Sequence, residues 1–104
     1  MKNFRTYDLA VNFYHLSTSL ALPGYLRDQL GRAASSVVLN LAEGNARKTQ
    51  ADRKRFFNIA FASLKECQAI LELASGDTER AAKVADALGA HLYRLIQNVT
   101  ASRF

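Results

Sequence analysis

Asn40-Leu41-Ala42-Glu43-Gly44-Asn45-Ala46-Arg47-Lys48-Thr49-Gln50-Ala51-Asp52-Arg53-Lys54-Arg55-Phe56-Phe57, running on to Ser63-Leu64-Lys65-Glu66, is the stretch whose reading decides the fold. It joins the two most apolar helical segments and carries much of the positive charge. Gly44 reads as the left-handed residue that ends one helix. Thr49 reads as the N-cap of the next, with Asp52 three residues on in a capping-box-like arrangement. So short a break between two long segments turns the second helix back alongside the first.

Upstream, a helix is expected from about residue 25 to 43, with Leu26, Leu30, Ala33, Val37 and Leu41 as its core stripe. Val38, Leu39 and Ala42 fall off that stripe, so the second half of this helix is apolar nearly all round. Such a helix is buried on more than one side, and a chain of 104 residues cannot enclose it alone. Another subunit is the expected cover. Gly31 stands in a run of small residues, Ala33 to Ser36, and its cost of about 1 kcal/mol against Ala suggests the close approach of a neighbouring helix.

Downstream, a helix is expected from about residue 50 to 74, with an apolar arc of Phe56, Ile59, Ala60, Ser63, Leu64, Cys67, Ile70, Leu71 and Ala74. Phe57 widens that arc. Lys54, Asn58, Lys65 and Glu72 take the solvated side. At the start of the chain, Leu9, Phe13, Leu16 and Leu20 share one face of a helix from about residue 7 to 20, closed by Leu22-Pro23-Gly24. A last helix spans about residues 78 to 99, with Asp77 as N-cap and a seam of Ala81, Ala85, Leu88, Leu92, Leu95 and Val99. The expected fold is all-α, an antiparallel up-down-up-down four-helix bundle. One domain covers residues 1–104, since this length has room for a single core.

Hydrophobic residues make up 49% and charged residues 22%, which places the chain among soluble globular proteins. No segment approaches the ~20 apolar residues of a membrane span, and Met1-Lys2-Asn3-Phe4-Arg5 lacks the apolar core of a signal peptide. Cys67 is the one cysteine, so the fold needs no internal disulfide. A cytoplasmic location is expected.

The net charge of +5 favours polyanionic partners. Arg47, Lys48, Arg53, Lys54 and Arg55 put five cations within nine residues. Cations in the first turns of a helix oppose its dipole at a cost of about 0.3–1 kcal/mol each, which a phosphate ligand would offset. The other reading is a solvated basic loop that serves solubility, and the two stay open. Stacking of Phe56 or Phe57 on bases is the weaker idea, since phenylalanines at helical spacing are usually core.

Asn40 and Glu43 lie one turn apart on the upstream helix, and Ser63, Lys65 or Glu66 are their candidate partners. Asn40, Glu43, Ser63 and Glu66 thus read as a structural polar set that sets helix register or a subunit contact. His15 and His91 belong to no Glu-x-x-His pair, and no glycine-rich phosphate loop, zinc spacing or nucleophile elbow is present. No catalytic residue, metal ligand or cofactor site is assigned, and no enzyme is expected.

Several segments together resemble the 23S rRNA intervening-sequence protein family. They are Tyr7-Asp8-Leu9-Ala10-Val11, Leu22-Pro23, Asp28-Gln29-Leu30, Arg32-Ala33-Ala34-Ser35-Ser36, Asn40-Leu41-Ala42-Glu43-Gly44, Phe56-Phe57-Asn58-Ile59-Ala60 and Ser63-Leu64-Lys65-Glu66. The resemblance covers nearly the whole chain. It implies a bacterial four-helix bundle that assembles as a ring-like homopentamer, similar to the accessory protein of diversity-generating retroelements. That protein is linked to nucleic acid and to a reverse transcriptase, so a nucleic-acid-processing protein is an implied partner. The family name records a gene location, and the short connection after Pro23 departs from many relatives.

Two functions follow as expectations. One is an oligomeric, non-catalytic bundle that contacts RNA or DNA backbone through the five cations. The other is a protein–protein scaffold that uses the apolar surplus of the middle helices and has no affinity for nucleic acid.

Overall fold

The computed structural model describes residues 4–101, so the N-terminal reading at Met1 to Asn3 lies outside the described residues. Among these there are four helices and no strand: α1 (Arg5–Thr18), α2 (Gly24–Ala46), α3 (Gln50–Leu73) and α4 (Glu79–Ala101). Connections at 19–23, 47–49 and 74–78 are short, and each returns the chain beside the helix it has left. Every helix packs on two neighbours in the order α1–α2–α3–α4–α1, with α2–α3 the most extensive contact. The bundle is antiparallel, as expected, and measures 46 × 23 × 20 Å.

The core follows the expected α2 stripe closely. Leu26, Leu30, Ala33, Val37 and Leu41 are all buried, joined by Ala34 and Gly44. Burying each large side chain stabilises by about 1.5–3 kcal/mol, so this helix anchors the others.

The α4 seam is buried as expected at Ala81, Ala85, Leu88, Leu92 and Val99, and the α3 arc at Ala60, Leu64, Cys67, Ile70 and Leu71, whereas the α1 face is rotated from the expected one. In α1 the buried residues are Thr6, Ala10, Phe13 and Ser17, while Leu9, Leu16 and Leu20 are half-buried. In α3 Phe57 is fully buried with Ala60, Leu64, Cys67, Ile70 and Leu71, whereas Phe56 is half-buried and Ile59 exposed. In α4 Ile96 is buried and Leu95 is half-buried. In α1 the reason is that small side chains, Thr6, Ala10 and Ser17, occupy the line of closest approach and the leucines flank it. A pattern weighted towards large residues misses that line.

The helix ends also correct several expectations. Gly44 does not end α2. It lies inside the helix, buried, and α2 runs on to Ala46. The absence of a Cβ there serves packing, since an added Cβ would meet the Phe57 ring. Beyond its own helix, Gly31 has no atom of the described residues within 4 Å of where its Cβ would be, so no other described helix approaches it closely. Leu22-Pro23-Gly24 does not close α1, which stops at Thr18. Pro23 instead precedes α2, where its carbonyl accepts from Leu26 and Arg27 N–H groups. Asp77 is not the cap of α4, which begins at Glu79. Gly76 between α3 and α4 has φ 109°, a left-handed conformation that side chains rarely adopt.

Candidate functional site

The connection between α2 and α3 is built by its own charges. Thr49 Oγ1 accepts a 3.1 Å hydrogen bond from the Asp52 N–H, which caps α3 as its sequence suggests. Arg53 reaches back across the turn and donates from Nη1 to the carbonyls of Asn45 at 3.3 Å and Arg47 at 3.5 Å. These are carbonyls at the C-terminal end of α2, where a cation is favoured by about 0.3–1 kcal/mol. For Arg53 the expected dipole penalty at the start of α3 is therefore met by an opposite effect from the helix that ends beside it.

Phe56 and Phe57 divide the roles expected of a single aromatic pair. Phe57 is fully buried and cannot stack on a base. Its ring lies 6.5 Å from that of Phe4 and 5.7 Å from the Arg53 guanidinium. Phe56 is half-buried, and two guanidinium groups sit over its ring, Arg47 at 4.8 Å and Arg55 at 4.3 Å. Such contacts contribute about 0.5–1 kcal/mol each at exposed sites.

Two carboxylates complete the arrangement. Glu43 accepts a hydrogen bond and ion pair from Arg47 one turn on, and Asp52 lies 3.9 Å from Arg55 Nε. Side chains of both pairs are 40–59% exposed, so each pair is worth little in stability. Lys48 is exposed and Lys54 half-exposed, and neither forms an ion pair among the described residues. The five cations thus share one end of the bundle in three states: Arg53 is part of the turn, Arg47 and Arg55 are paired, and the two lysines face solvent.

The polar set expected between α2 and α3 is only half assembled. Asn40 Nδ2 donates to the Ser36 carbonyl at 2.9 Å and to Ser36 Oγ at 3.1 Å, and Ser36 Oγ stands 2.7 Å from Ser63 Oγ. This joins Asn40 and Ser63 through Ser36, a residue that sequence reasoning had grouped among small packing residues. Glu43 turns to Arg47 instead, and Glu66 is exposed on α3. The missed signal was the spacing of Ser36 and Asn40, four residues apart on one helix face.

Cys67 is fully buried, and its thiol pKa is pushed from 9.0 up to about 12 by loss of solvation and then by the Glu66 charge. A thiol held protonated in this way is a poor nucleophile. Among the described residues, no group of three His, Cys, Asp or Glu side chains could hold a metal ion, and no helix is long and apolar enough to cross a membrane.

Exposed large apolar side chains are spread over α2 (Tyr25, Leu39), α3 (Ile59, Leu73) and α4 (Tyr93), and one apolar groove lies between α1 and α2. Val11, Tyr14, Ser35, Val38 and Leu39 line a groove of ≈ 210 Å³, and Leu39 is 64% exposed. On the α3–α4 side a wider groove of ≈ 470 Å³ has a mixed lining that includes Leu71, Glu72 and Asp86, and Gln68 donates to Asp86 at 3.1 Å.

No curated protein matches the chain significantly. The model of one family, 23S rRNA-intervening sequence protein, matches residues 4–100, which takes in all four helices but for the last residue of α4. The chain therefore belongs to the 23S rRNA-intervening sequence protein family.

Proposed function

We propose that this protein is a non-enzymatic, self-associating cytoplasmic bundle that binds the phosphate backbone of RNA or DNA. Arg47, Lys48, Lys54 and Arg55 make the contacts, and Arg53 holds the turn that presents them. The observation that supports this reading is the crowding of these cations at one end of the bundle, around the 47–49 turn, in a chain of net charge +5. Readout is of backbone charge, because Phe57 is buried and the ring of Phe56 carries two guanidinium groups. Assembly covers Leu39 and the α1–α2 groove and repeats the basic end around the oligomer, so weak single sites act together. The resemblance to the accessory protein of diversity-generating retroelements suggests a homopentamer and a nucleic-acid-processing partner.

A salt titration of binding to generic RNA and duplex DNA tests this reading. Affinity should fall steeply with salt and be lost when Arg47, Lys48, Lys54 and Arg55 are reversed to Glu. Unchanged binding by the reversed protein would rule the site out.

A second reading is a scaffold that binds protein alone, and the exposed apolar groove on α1 and α2 favours it. It requires assembly in solution with no affinity for either nucleic acid at low salt.

A further inference from the structure

We infer that Glu43 and Asp52 are internal competitors for the phosphate groups, which hold Arg47 and Arg55 out of use until a polyanion displaces them. The inference rests on the nucleic-acid reading and concerns how that site is regulated. Glu43 lies one turn before Arg47 on the end of α2, and Asp52 lies three residues before Arg55 in the first turn of α3. Each carboxylate is an oxyanion placed where a phosphate oxygen would otherwise sit against a guanidinium. Each arginine also rests on the Phe56 ring, at 4.8 Å and 4.3 Å, so both heads keep a contact at that ring when the carboxylates leave. Both pairs are largely exposed, and exposed pairs exchange partners at little cost.

The arrangement divides the cluster by readiness. Lys48 and Lys54 contact a polyanion first. Arg47 and Arg55 follow only where local phosphate density is high enough to outcompete Glu43 and Asp52. Arg53 stays with the α2 carbonyls throughout. The device sets a threshold: isolated phosphates and short anions meet two lysines, and on a hairpin or duplex Glu43 and Asp52 still hold the arginines back in part, so all four cations engage fully only at higher phosphate density.

The test uses the full chain with E43Q, D52N, E43Q/D52N and, as a control at the opposite end of the bundle, E79Q, which removes the partner of Lys83. Binding to a labelled RNA hairpin and to a DNA duplex is measured across a salt series. Thermal unfolding of each variant verifies the fold, since both carboxylates are exposed and D52N keeps the backbone bond to Thr49. E43Q/D52N should bind about tenfold more tightly than the wild type at low salt. Its log–log salt slope should steepen by about 0.7–0.9 for each arginine released. E79Q should leave the slope unchanged, and adding R47A to E43Q should cancel the gain. If the wild type binds with a salt-dependent slope that E43Q/D52N does not alter, the inference is overturned while the nucleic-acid reading stands. If no variant binds either probe at low salt, the reading itself fails and takes the inference with it.

Discussion

Phe57 fills the space that Gly44 leaves open in α2: a Cβ on Gly44 would stand 2.5 Å from Phe57 Cε1 and 2.7 Å from Cδ1. The ring is fully buried, with the Phe4 ring 6.5 Å and the Arg53 guanidinium 5.7 Å away. Gly44→Ala should therefore destabilise the fold by about 1–3 kcal/mol through overpacking, against a propensity gain of about 1 kcal/mol. Gly31→Ala meets nothing within 4 Å and should stabilise by about 0.5–1 kcal/mol. Urea unfolding of the two variants reads the signs. Equal stabilisation by both would mean that the ring does not bear on Gly44.

Ser36 and Ser17 should respond in opposite directions to the same substitution. Ser36 joins Asn40 to Ser63, so Ser36→Ala leaves the Ser63 hydroxyl short of a partner and should cost about 1 kcal/mol. Ser17 Oγ is buried with no hydrogen-bond partner among the described residues, and Ser17→Ala should be neutral or stabilise by about 1 kcal/mol. S36A/S63A should cost less than the sum of its single changes, because both hydroxyls then leave together. Thermal melts of the four variants decide this, and additive losses in the double variant would remove the network.

Cys67 links stability to alkaline pH. Its thiol has a raised pKa in the folded state, about 12 against 9.0, so its contribution is fully present below pH 9 and is lost as pH rises towards 12. In that window the unfolded chain binds fewer protons than the native one, and stability declines. Cys67→Ala should flatten this part of the stability–pH curve. A disulfide reagent should label the thiol only as fast as the protein opens, and immediate labelling of the native protein would contradict its burial.

Leu39 tests the assembly proposed for α2. Its side chain is 64% exposed in the single chain, so Leu39→Lys should change folding stability by no more than about 0.5 kcal/mol. Covering a Leu at an interface stabilises it by about 1.5–3 kcal/mol, and the change should shift the solution mass towards the monomer. Mass measured by light scattering across a concentration series reads the outcome. An oligomer unaffected by Leu39→Lys would place the contact on another face.

The α2 stripe was legible because Leu26, Leu30, Val37 and Leu41 are large and evenly spaced, and each proved buried. The cap at Thr49 was legible for a similar reason, since its hydrogen bond to Asp52 is local in the chain. Around the basic cluster the outcome differs. Composition placed five cations together but could not tell which would bind carbonyls or carboxylates, because Arg53 finds its acceptors six and eight residues back across the turn, in the connection and at the end of α2. Ser36 and Ser63 lie 27 residues apart, and no local pattern pairs them.

By itself the sequence determined what depends on neighbours along the chain: four amphipathic helices, their short connections, the α3 cap and the family to which the chain belongs. Tertiary structure decided what depends on the space between helices. It selected Phe57 over Phe56 for the core, because Gly44 across the α2–α3 contact leaves room for one ring. It turned Gly44 from an expected helix end into a packing residue. It also divided the basic cluster, once α2 and α3 met, into an arginine that holds the turn, two arginines paired with carboxylates, and two lysines that face solvent. Distances across a helix interface are set by side-chain volumes on both sides, and a reading of one segment at a time sees only one of them.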